Sequence, residues 1–204
     1  MSEAQLVQQA KAGDFDAFMQ LVNDQKAKLY NLALKMTGNE SDAEDIVQDT
    51  LVKAIDKIET FRGEAAFGTW LYAIALNEAR AVLAKRKHTD LKPLEEYLPG
   101  GGQMDMHGKD ITVKLFDWDD PHTKLEASEL RRLINEGINE LPPVYREVFL
   151  LRYHEELSIK EIAKLVKESE AAVKSRVLRA RLAMRDHLSK AFEESYGKQV
   201  PRIH

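Results

Sequence analysis

Residues 88–125 differ in composition from the sequence on either side, and this break constrains the fold more than any other feature. The segment contains Pro93, Pro99 and Pro121 together with the run Gly100-Gly101-Gly102, a composition typical of linkers. On both sides of it, apolar residues recur at the three- and four-residue spacing of amphipathic helices. The sequence therefore predicts an all-α protein interrupted by one long linker, with enough residues for one large domain or two small ones.

The block before the linker predicts a series of helices. Apolar patterns at 15–22 and 29–36 predict two successive helices, the first capped by Asp14 and the second ended by Gly38.

Two more caps are predicted further along this block. Ser41 is followed by Glu44 three residues later, which is the spacing of a capping box. The helix that it opens is expected to bury the face formed by Ala43, Ile46, Val47, Leu51, Ala54 and Ile55. Thr69 is expected to cap the last helix of the block, which turns basic towards its end.

The block after the linker predicts a helix-turn-helix unit. Residues from Glu126 onward follow helical spacing until the pair Pro142-Pro143 stops the first helix. Ser158 and Glu161 form a capping box that opens a short helix, and a brief turn and a long helix from about 170 to 192 follow. The basic side chains of the long helix are Lys174, Arg176, Arg179, Arg181, Arg185 and Lys190. They suit a recognition helix in the major groove of DNA, but a solvated amphipathic helix has the same pattern.

Composition excludes several classes of function. The chain has no cysteine, which excludes disulfides and thiolate metal sites. It has no apolar run of about 18 residues and no secretion signal, so we expect no membrane insertion and a cytoplasmic location. The formal net charge of −4 disfavours nucleic acid as a partner, but the charge is unevenly distributed. Residues 61–89 and 127–204 are net basic, and local patches decide how a charged partner is attracted.

The acidic residues at 42–49 permit two interpretations. Asp45 and Asp49 lie one helical turn apart, and helical enzymes hold Mg²⁺ with such pairs. The sequence has no matching acidic motif on another helix, and its histidines do not pair with this one. A face that is solvated or binds another protein is therefore favoured over a metal-dependent phosphohydrolase. We predict no catalytic residue, no bound metal and no cofactor.

The stretch Phe61–Tyr72 combines an Arg-Gly pair with aromatic side chains. Phe67, Trp70 and Tyr72 are each, taken singly, more typical of a protein core than of a binding surface. Their proximity to Arg62-Gly63 and to a basic helix also suits the capture of unpaired bases by stacking, next to a groove that follows the phosphates.

Five stretches in this order resemble the extracytoplasmic-function (ECF) sigma factors, a compact group within the bacterial sigma-70 family. They are Leu34–Asn39, Asp42–Thr50, Phe61–Tyr72, Leu141–Arg152, and Val173–Arg176 with Arg179–Arg181. The resemblance covers nearly the whole chain outside 88–125. It implies a non-catalytic factor that binds core RNA polymerase, directs it to specific promoters and helps to open the minus-ten element.

The resemblance also implies the domain organisation. A sigma-two domain is expected at 1–88 and a helix-turn-helix sigma-four domain at 127–195. An acidic linker at 89–126 would join them, and a tail would follow at 196–204.

Three binding surfaces are implied by the resemblance. The residues implied in core-polymerase binding are Asp45, Gln48, Asp49 and Leu51. Those implied in binding the minus-ten element of promoter DNA are Arg62, Gly63, Phe67, Thr69, Trp70, Asn77, Arg80, Lys85 and Arg86. Those implied in binding the minus-thirty-five element are Lys174, Ser175, Arg176, Arg179 and Arg181. An anti-sigma factor is the further partner that the resemblance implies.

Two positions depart from the family pattern. Members often carry a basic residue where this chain has Ala73. Lys167 stands where the turn of the helix-turn-helix frequently has glycine, and a lysine is strained there if its φ is positive. The alternative function is that of a stand-alone helix-turn-helix regulator, which would bind operator DNA without polymerase.

Overall fold

The structure is a computed structural model and describes residues 1–86 and 124–196. Within these residues the chain is helical, which confirms the predicted all-α class. The helices are α1 (Glu3–Lys11), α2 (Phe15–Thr37), α3 (Glu40–Lys57), α4 (Phe67–Arg86), α5 (Lys124–Glu140), α6 (Pro143–Tyr153), α7 (Ile159–Val166) and α8 (Glu170–Tyr196). A 3-10 turn, Ile58–Thr60, follows α3. The predicted linker 89–126 and tail 196–204 lie almost entirely outside the described residues.

Helices α1 to α4 form the first helical unit, with α2 at its centre. α2 packs against α1, α3 and α4, and its Leu29, Leu32 and Met36 are fully buried. Ile46 of α3 and Leu71 of α4 complete this core. Each such side chain contributes about 2 kcal/mol by leaving water, so the shared core fixes α3 and α4 relative to each other.

Helices α5 to α8 form the second unit, with α8 packed against α5, α6 and α7. Its core includes Leu150 and Leu151 of α6, Ile162 of α7 and Met184 of α8. A Cβ at Gly137 in α5 would lie 3.0 Å from Cε of Met184. Glycine at this position therefore allows α5 and α8 to approach closely.

Several predicted helix ends are confirmed. Oδ1 of Asp14 accepts a hydrogen bond from the Ala17 amide at 3.0 Å. Gly38 ends α2 in the left-handed conformation, with φ of 66°. Ser158 and Glu161 make both hydrogen bonds of a capping box at the start of α7. These caps depend on short-range sequence alone, which is why spacing predicts them.

Two predictions about helix starts are wrong. Asn39, and not Ser41, caps α3, and its Oδ1 accepts from the Asp42 amide at 2.9 Å. α3 begins at Glu40, two residues after the left-handed Gly38, so Ser41 already lies within the helix. α4 begins at Phe67, which places Thr69 inside its first turn.

Two other local predictions are corrected. The patterns at 15–22 and 29–36 belong to one continuous helix, because no glycine or proline separates them. Ile55 is 38% exposed and so does not belong to the buried face of α3.

The two helical units contact each other through α2 and α4 on one side and α5, α6 and α7 on the other. Arg146 of α6 carries one of these contacts, donating from Nη1 to the Met36 carbonyl of α2 at 2.7 Å. The same guanidinium donates from Nη2 to the carbonyls of Leu141, at 3.1 Å, and Asn139. We call this packing of the two units the closed arrangement. No helix within the described residues is long and apolar enough to cross a membrane.

Candidate nucleic-acid and polymerase interfaces

One side of α3 forms an exposed acidic surface. Asp45, Gln48 and Asp49 are all exposed, because the opposite side of the helix is taken up by the core. Val52, which is 61% exposed, and Ile55 continue the same side. Acidic and amide groups beside apolar side chains suit binding to another protein. We call these five residues the α3 face.

Leu51 lies apart from this surface. It is half-buried and packs against the hydrophobic core, so it helps to hold α3 in place and does not form part of the exposed face. Within the described parts of the chain, no group of three or more His, Asp or Glu side chains is arranged to hold a metal ion. The pair Asp45 and Asp49 therefore gains no third ligand there.

The loop between the 3-10 turn and α4 is exposed in its middle and buried at both ends. Arg62, Gly63 and the residues up to 66 are exposed, whereas Phe61 is 5% and Phe67 is 1% exposed. Gly63 has a φ of 71°, and a Cβ there would meet no atom within 4 Å. Glycine is therefore favoured by the backbone turn itself. We call residues 62–66 the 62–66 loop.

An aromatic cluster of Phe61, Phe67 and Trp70 lies under this loop. The ring centroids of Phe61 and Phe67 are 5.6 Å apart with an edge-to-face geometry, and Trp70 lies within 5.5 Å of both. A ring as buried as that of Phe67 cannot stack on a base, so the expectation that it contacts DNA is replaced by a role in supporting the loop. Trp70 and Thr69 are half-buried and border the loop.

Asn77 and Arg80 lie on α4, one turn apart. Nη1 of Arg80 donates to Oδ1 of Asn77 at 3.0 Å. The other nitrogens of this guanidinium turn to the second unit, where Nε donates to Oε2 of Glu147 at 3.1 Å and Nη2 donates to Oε1. The predicted minus-ten residue Arg80 is therefore already occupied in the closed arrangement.

Burial raises the pKa of the Glu147 carboxyl above its usual value, and the hydrogen bond and charge of Arg80 offset only part of that rise. The charge of Arg176 acts on Glu147 in the same direction as that of Arg80. The charges of two residues expected to contact different promoter elements thus both lower the pKa of one carboxyl.

Lys85 and Arg86 are exposed at the C-terminal end of α4, where cations also complement the helix dipole. Arg86 pairs with Asp42 at the start of α3, and its Nη1 donates to the Thr37 carbonyl at 3.4 Å. This basic end is therefore held beside the junction of α2 and α3.

The helix-turn-helix is formed by α7 and α8. Lys167 ends α7 in the left-handed conformation with φ of 59°, so the strain anticipated for a non-glycine residue at this turn is present. Oγ of Ser169 accepts from the Ala172 amide at 3.1 Å and so caps α8.

The predicted minus-thirty-five residues share the N-terminal half of α8. Lys174 is exposed, and Ser175 and Arg181 are half-buried. Arg176 pairs with Glu168 at 2.8 Å. Nη1 of Arg179 donates to the Tyr145 hydroxyl at 3.3 Å. The opposite side of α8 is buried through Val173, Val177, Ala180 and Met184.

Glu155 is a second carboxylate between the two units that the sequence did not reveal. The Tyr72 hydroxyl of α4 donates to its Oε2, and Nδ1 of His154 lies 2.8 Å from its Oε1. Burial acts to raise the pKa of Glu155, but these two hydrogen bonds, together with the charges of His154 and Lys28, outweigh it and hold the pKa below its usual value. Burial and the bond to Glu155 raise the pKa of the Tyr72 hydroxyl. Tyr72 thus joins the two units and is not available to bases.

The two units match separate family models. Residues 21–89 match Sigma-70 region 2, and residues 131–184 match Sigma-70 region 4. The ECF RNA polymerase sigma factor SigW of Bacillus subtilis is 34% identical over 182 residues, covering 89% of this chain and 94% of SigW. The ECF RNA polymerase sigma-E factor of Haemophilus influenzae is 34% identical over 181 residues, covering 89% of this chain and 92% of that protein.

Solved structures show the same fold. CnrH, solved in complex with the cytosolic domain of CnrY, is 25% identical with a TM-score of 0.63, over 91% of this chain and 96% of CnrH. The sigma factor RpoE of Bartonella quintana, solved with the anti-sigma factor NepR, is 22% identical with a TM-score of 0.58, over 86% and 97% of the two chains.

Proposed function

Since the chain belongs to the ECF sigma factors of the sigma-70 family, it is an alternative sigma factor and not an enzyme, and we propose that it acts through three separate surfaces. The observation that carries this proposal is that the predicted residues, except the buried Phe67, form three exposed or half-exposed groups, on α3, on the 62–66 loop with α4, and on α8. As a partner of RNA polymerase, it acts in the cytoplasm.

The α3 face is the docking surface for core RNA polymerase. Its carboxylates at Asp45 and Asp49 provide charge, and the exposed Val52 and Ile55 provide apolar area to be covered. Binding energy at such interfaces comes mainly from the apolar centre, and charge steers the approach.

The 62–66 loop and α4 engage the non-template strand of the minus-ten element. Arg62 has an exposed side chain, and Gly63 allows the backbone to turn. The half-buried Trp70 offers an aromatic edge below the loop. Asn77 and Arg80 extend the surface along α4, and Lys85 and Arg86 provide phosphate contacts at its end.

The N-terminal half of α8 reads the minus-thirty-five element in the major groove. Lys174 and Ser175 lie near the start of the helix, the position from which a recognition helix reaches base edges. Arg176, Arg179 and Arg181 add donors for bases or phosphates.

The closed arrangement is incompatible with simultaneous contact to both promoter elements. Two elements about 25 base pairs apart are separated by roughly 85 Å of B-form DNA. In the protein, the two units are in contact, and Arg80 of α4 is hydrogen-bonded to Glu147 of α6. The two units must therefore separate before both elements can bind, and the free protein is expected to bind promoter duplex poorly. A chain of the length of 87–123 can span at most roughly 120 Å when fully extended, which exceeds the separation of the two promoter elements.

An anti-sigma factor is the further partner that we propose. CnrH was solved in complex with the cytosolic domain of CnrY, and this chain shares its fold over most of its length. A protein that binds the α3 face or stabilises the closed arrangement would keep the factor from polymerase.

Run-off transcription with purified core polymerase tests the proposal. The wild-type chain is expected to give discrete transcripts from a pool of genomic promoter fragments. The double variant Asp45→Ala, Asp49→Ala should lose about tenfold or more in core affinity. The double variant Asp16→Ala, Asp24→Ala removes the same charge from exposed positions on α2 and should behave as wild type. Specific operator binding without polymerase would instead support the stand-alone regulator.

A further inference from the structure

The first helix, α1, lies before the segment that matches Sigma-70 region 2, which starts at residue 21, yet it contacts both ends of the 62–66 loop. Nζ of Lys11 donates to the Phe61 carbonyl at 2.6 Å. Oε1 of Glu3 accepts from the Phe67 amide at 3.1 Å. One helix thus binds the residue that precedes the loop and the residue that follows it.

α1 is itself firmly placed. Val7 and Ala10 are buried in the core against α2. Ser2 and Gln5 form a complete capping box at its start, which orders the turn that carries Glu3. The two loop contacts are separated by roughly 12 Å along the helix axis. A rigid element of fixed length therefore spans the base of the loop.

The contact from Glu3 also completes the start of α4. α4 has no acidic residue in its first turn, so the Glu3 carboxylate supplies the negative charge and the acceptor that an N-terminal cap normally provides. Thr69, the cap predicted from the sequence, already lies inside this first turn. At the other end of α1, Lys11 lies in the last turn of its own helix, where a cation complements the helix dipole.

Side-chain contacts within the loop are weaker than these contacts at its ends. Arg62 and Glu64 approach to 3.9 Å, but their side chains are 83% and 71% exposed, and such a pair contributes little. The conformation of the loop therefore depends on how its ends are held.

We propose that α1 positions the 62–66 loop for recognition of the minus-ten element, with Glu3 and Lys11 as the positioning residues. They do not contact DNA. They set the separation and direction of the loop ends and so the place at which an unpaired base is received. The inference rests on the proposed minus-ten role of the loop.

The test compares holoenzymes that carry Glu3→Ala, Lys11→Met or both. Each is assayed for binding to fork-junction DNA with the preferred minus-ten sequence and with single-base changes of it. The double variant is expected to lose discrimination by about fivefold to thirtyfold, the range that one or two lost hydrogen bonds produce. Core affinity and binding to minus-thirty-five duplex should stay within about twofold of wild type.

Matched variants separate positioning from general destabilisation. Lys26→Met removes an equal charge from an exposed site on α2 and should leave discrimination unchanged. Glu3→Gln and Lys11→Arg retain an acceptor and a donor, and should restore most of the discrimination. Thermal unfolding midpoints of all variants report whether the fold is kept.

Hydrogen exchange of the Phe67 amide in the free protein gives a readout that does not depend on transcription. Glu3→Ala should accelerate exchange at Phe67 by about fivefold or more relative to neighbouring amides of α4. Unchanged exchange, or unchanged discrimination in the double variant while wild type discriminates, would overturn the inference. If wild-type holoenzyme itself shows no minus-ten preference while Phe67 exchange responds, the proposed loop function fails, and with it the positioning role.

Discussion

Arg80 in α4 and Glu147 in α6 are joined by two hydrogen bonds that cross between the helical units. Nε of Arg80 donates to Oε2 of Glu147 at 3.1 Å, and Nη2 donates to Oε1. Glu147 is only 5% exposed, so its charge is shielded from water and would be costly without a partner. The closed arrangement is therefore stabilised by the charge of Arg80, which we also expect to contact DNA.

Arg80→Ala is expected to open the closed arrangement. It leaves Glu147 buried without its main partner, which should weaken closure by about 2 kcal/mol. The double variant Arg80→Ala, Glu147→Gln should recover part of this loss, because no unpaired charge remains. The chain contains no cysteine, so cysteines placed at Glu44 and Lys190 can carry a fluorescent donor and acceptor that report the separation of the units.

The control for this experiment is Arg132→Ala. Arg132 pairs with Glu129 and Glu136 inside α5 and should leave the energy-transfer efficiency unchanged. If the double variant opens as far as Arg80→Ala alone, the charge of Glu147 has no part in closure.

Acidification is expected to weaken the contact between Tyr72 and Glu155. The pKa of Glu155 is held below its usual value in the folded protein, so its ionised form stabilises the structure. That stabilisation is complete above the unfolded pKa of about 4.5 and is lost as the pH falls through the lower folded pKa. Urea unfolding gives the free energy of unfolding of wild type and of Glu155→Gln at pH 7 and at pH 3.5. The difference in free energy between the two proteins should be larger at pH 7. An equal difference at both values would contradict the assignment.

Replacement of Arg146 is expected to destabilise the protein strongly. Its guanidinium satisfies carbonyls of Met36, Asn139 and Leu141 and is 8% exposed. Arg146→Met leaves these acceptors without a donor and should lower the free energy of unfolding by about 3 kcal/mol. Arg131→Met, at an exposed position of α5, is the control for loss of charge. A loss of the same size in both variants would show that the carbonyl contacts contribute nothing.

Thr50→Val is expected to stabilise the protein. Thr50 is 0% exposed, and its hydroxyl has no hydrogen-bond partner, so a valine of the same shape removes a buried polar atom at a gain of about 1 kcal/mol. Thr37→Val is the matched comparison, since Oγ1 of Thr37 donates to the Ala33 carbonyl at 2.9 Å. That variant should lose stability. Chemical denaturation of the two variants should give changes of opposite sign.

The sequence predicted what depends on neighbouring residues and missed what depends on distant ones. Helical spacing and the caps at Asp14 and Ser158 are local properties, and they are confirmed. Thr69 was predicted to cap α4, but the helix begins two residues earlier, at Phe67, whose amide donates to the Glu3 carboxylate. Only the folded chain brings the two together.

The polar residues between the units were missed for the same reason. Glu147 lies in a segment whose pattern predicts an ordinary amphipathic helix, and Glu155 lies in the turn after that helix. Nothing in their sequence neighbours indicates a partner in α4. Phe67 shows the reverse case, since its place in a loop motif suggested contact with DNA. Its packing with Phe61 instead buries the ring.

The left-handed conformation of Lys167 makes the folded protein less stable than it would be with glycine at this position. A side chain in that conformation costs about 1 kcal/mol relative to glycine, and φ of 59° places the lysine there. Lys167→Gly would therefore raise the free energy of unfolding by about 1 kcal/mol, which is about what a typical destabilising mutation costs. A lineage that acquired it could then accept one further change on the reading side of α8, and so shift its promoter preference, without losing the fold.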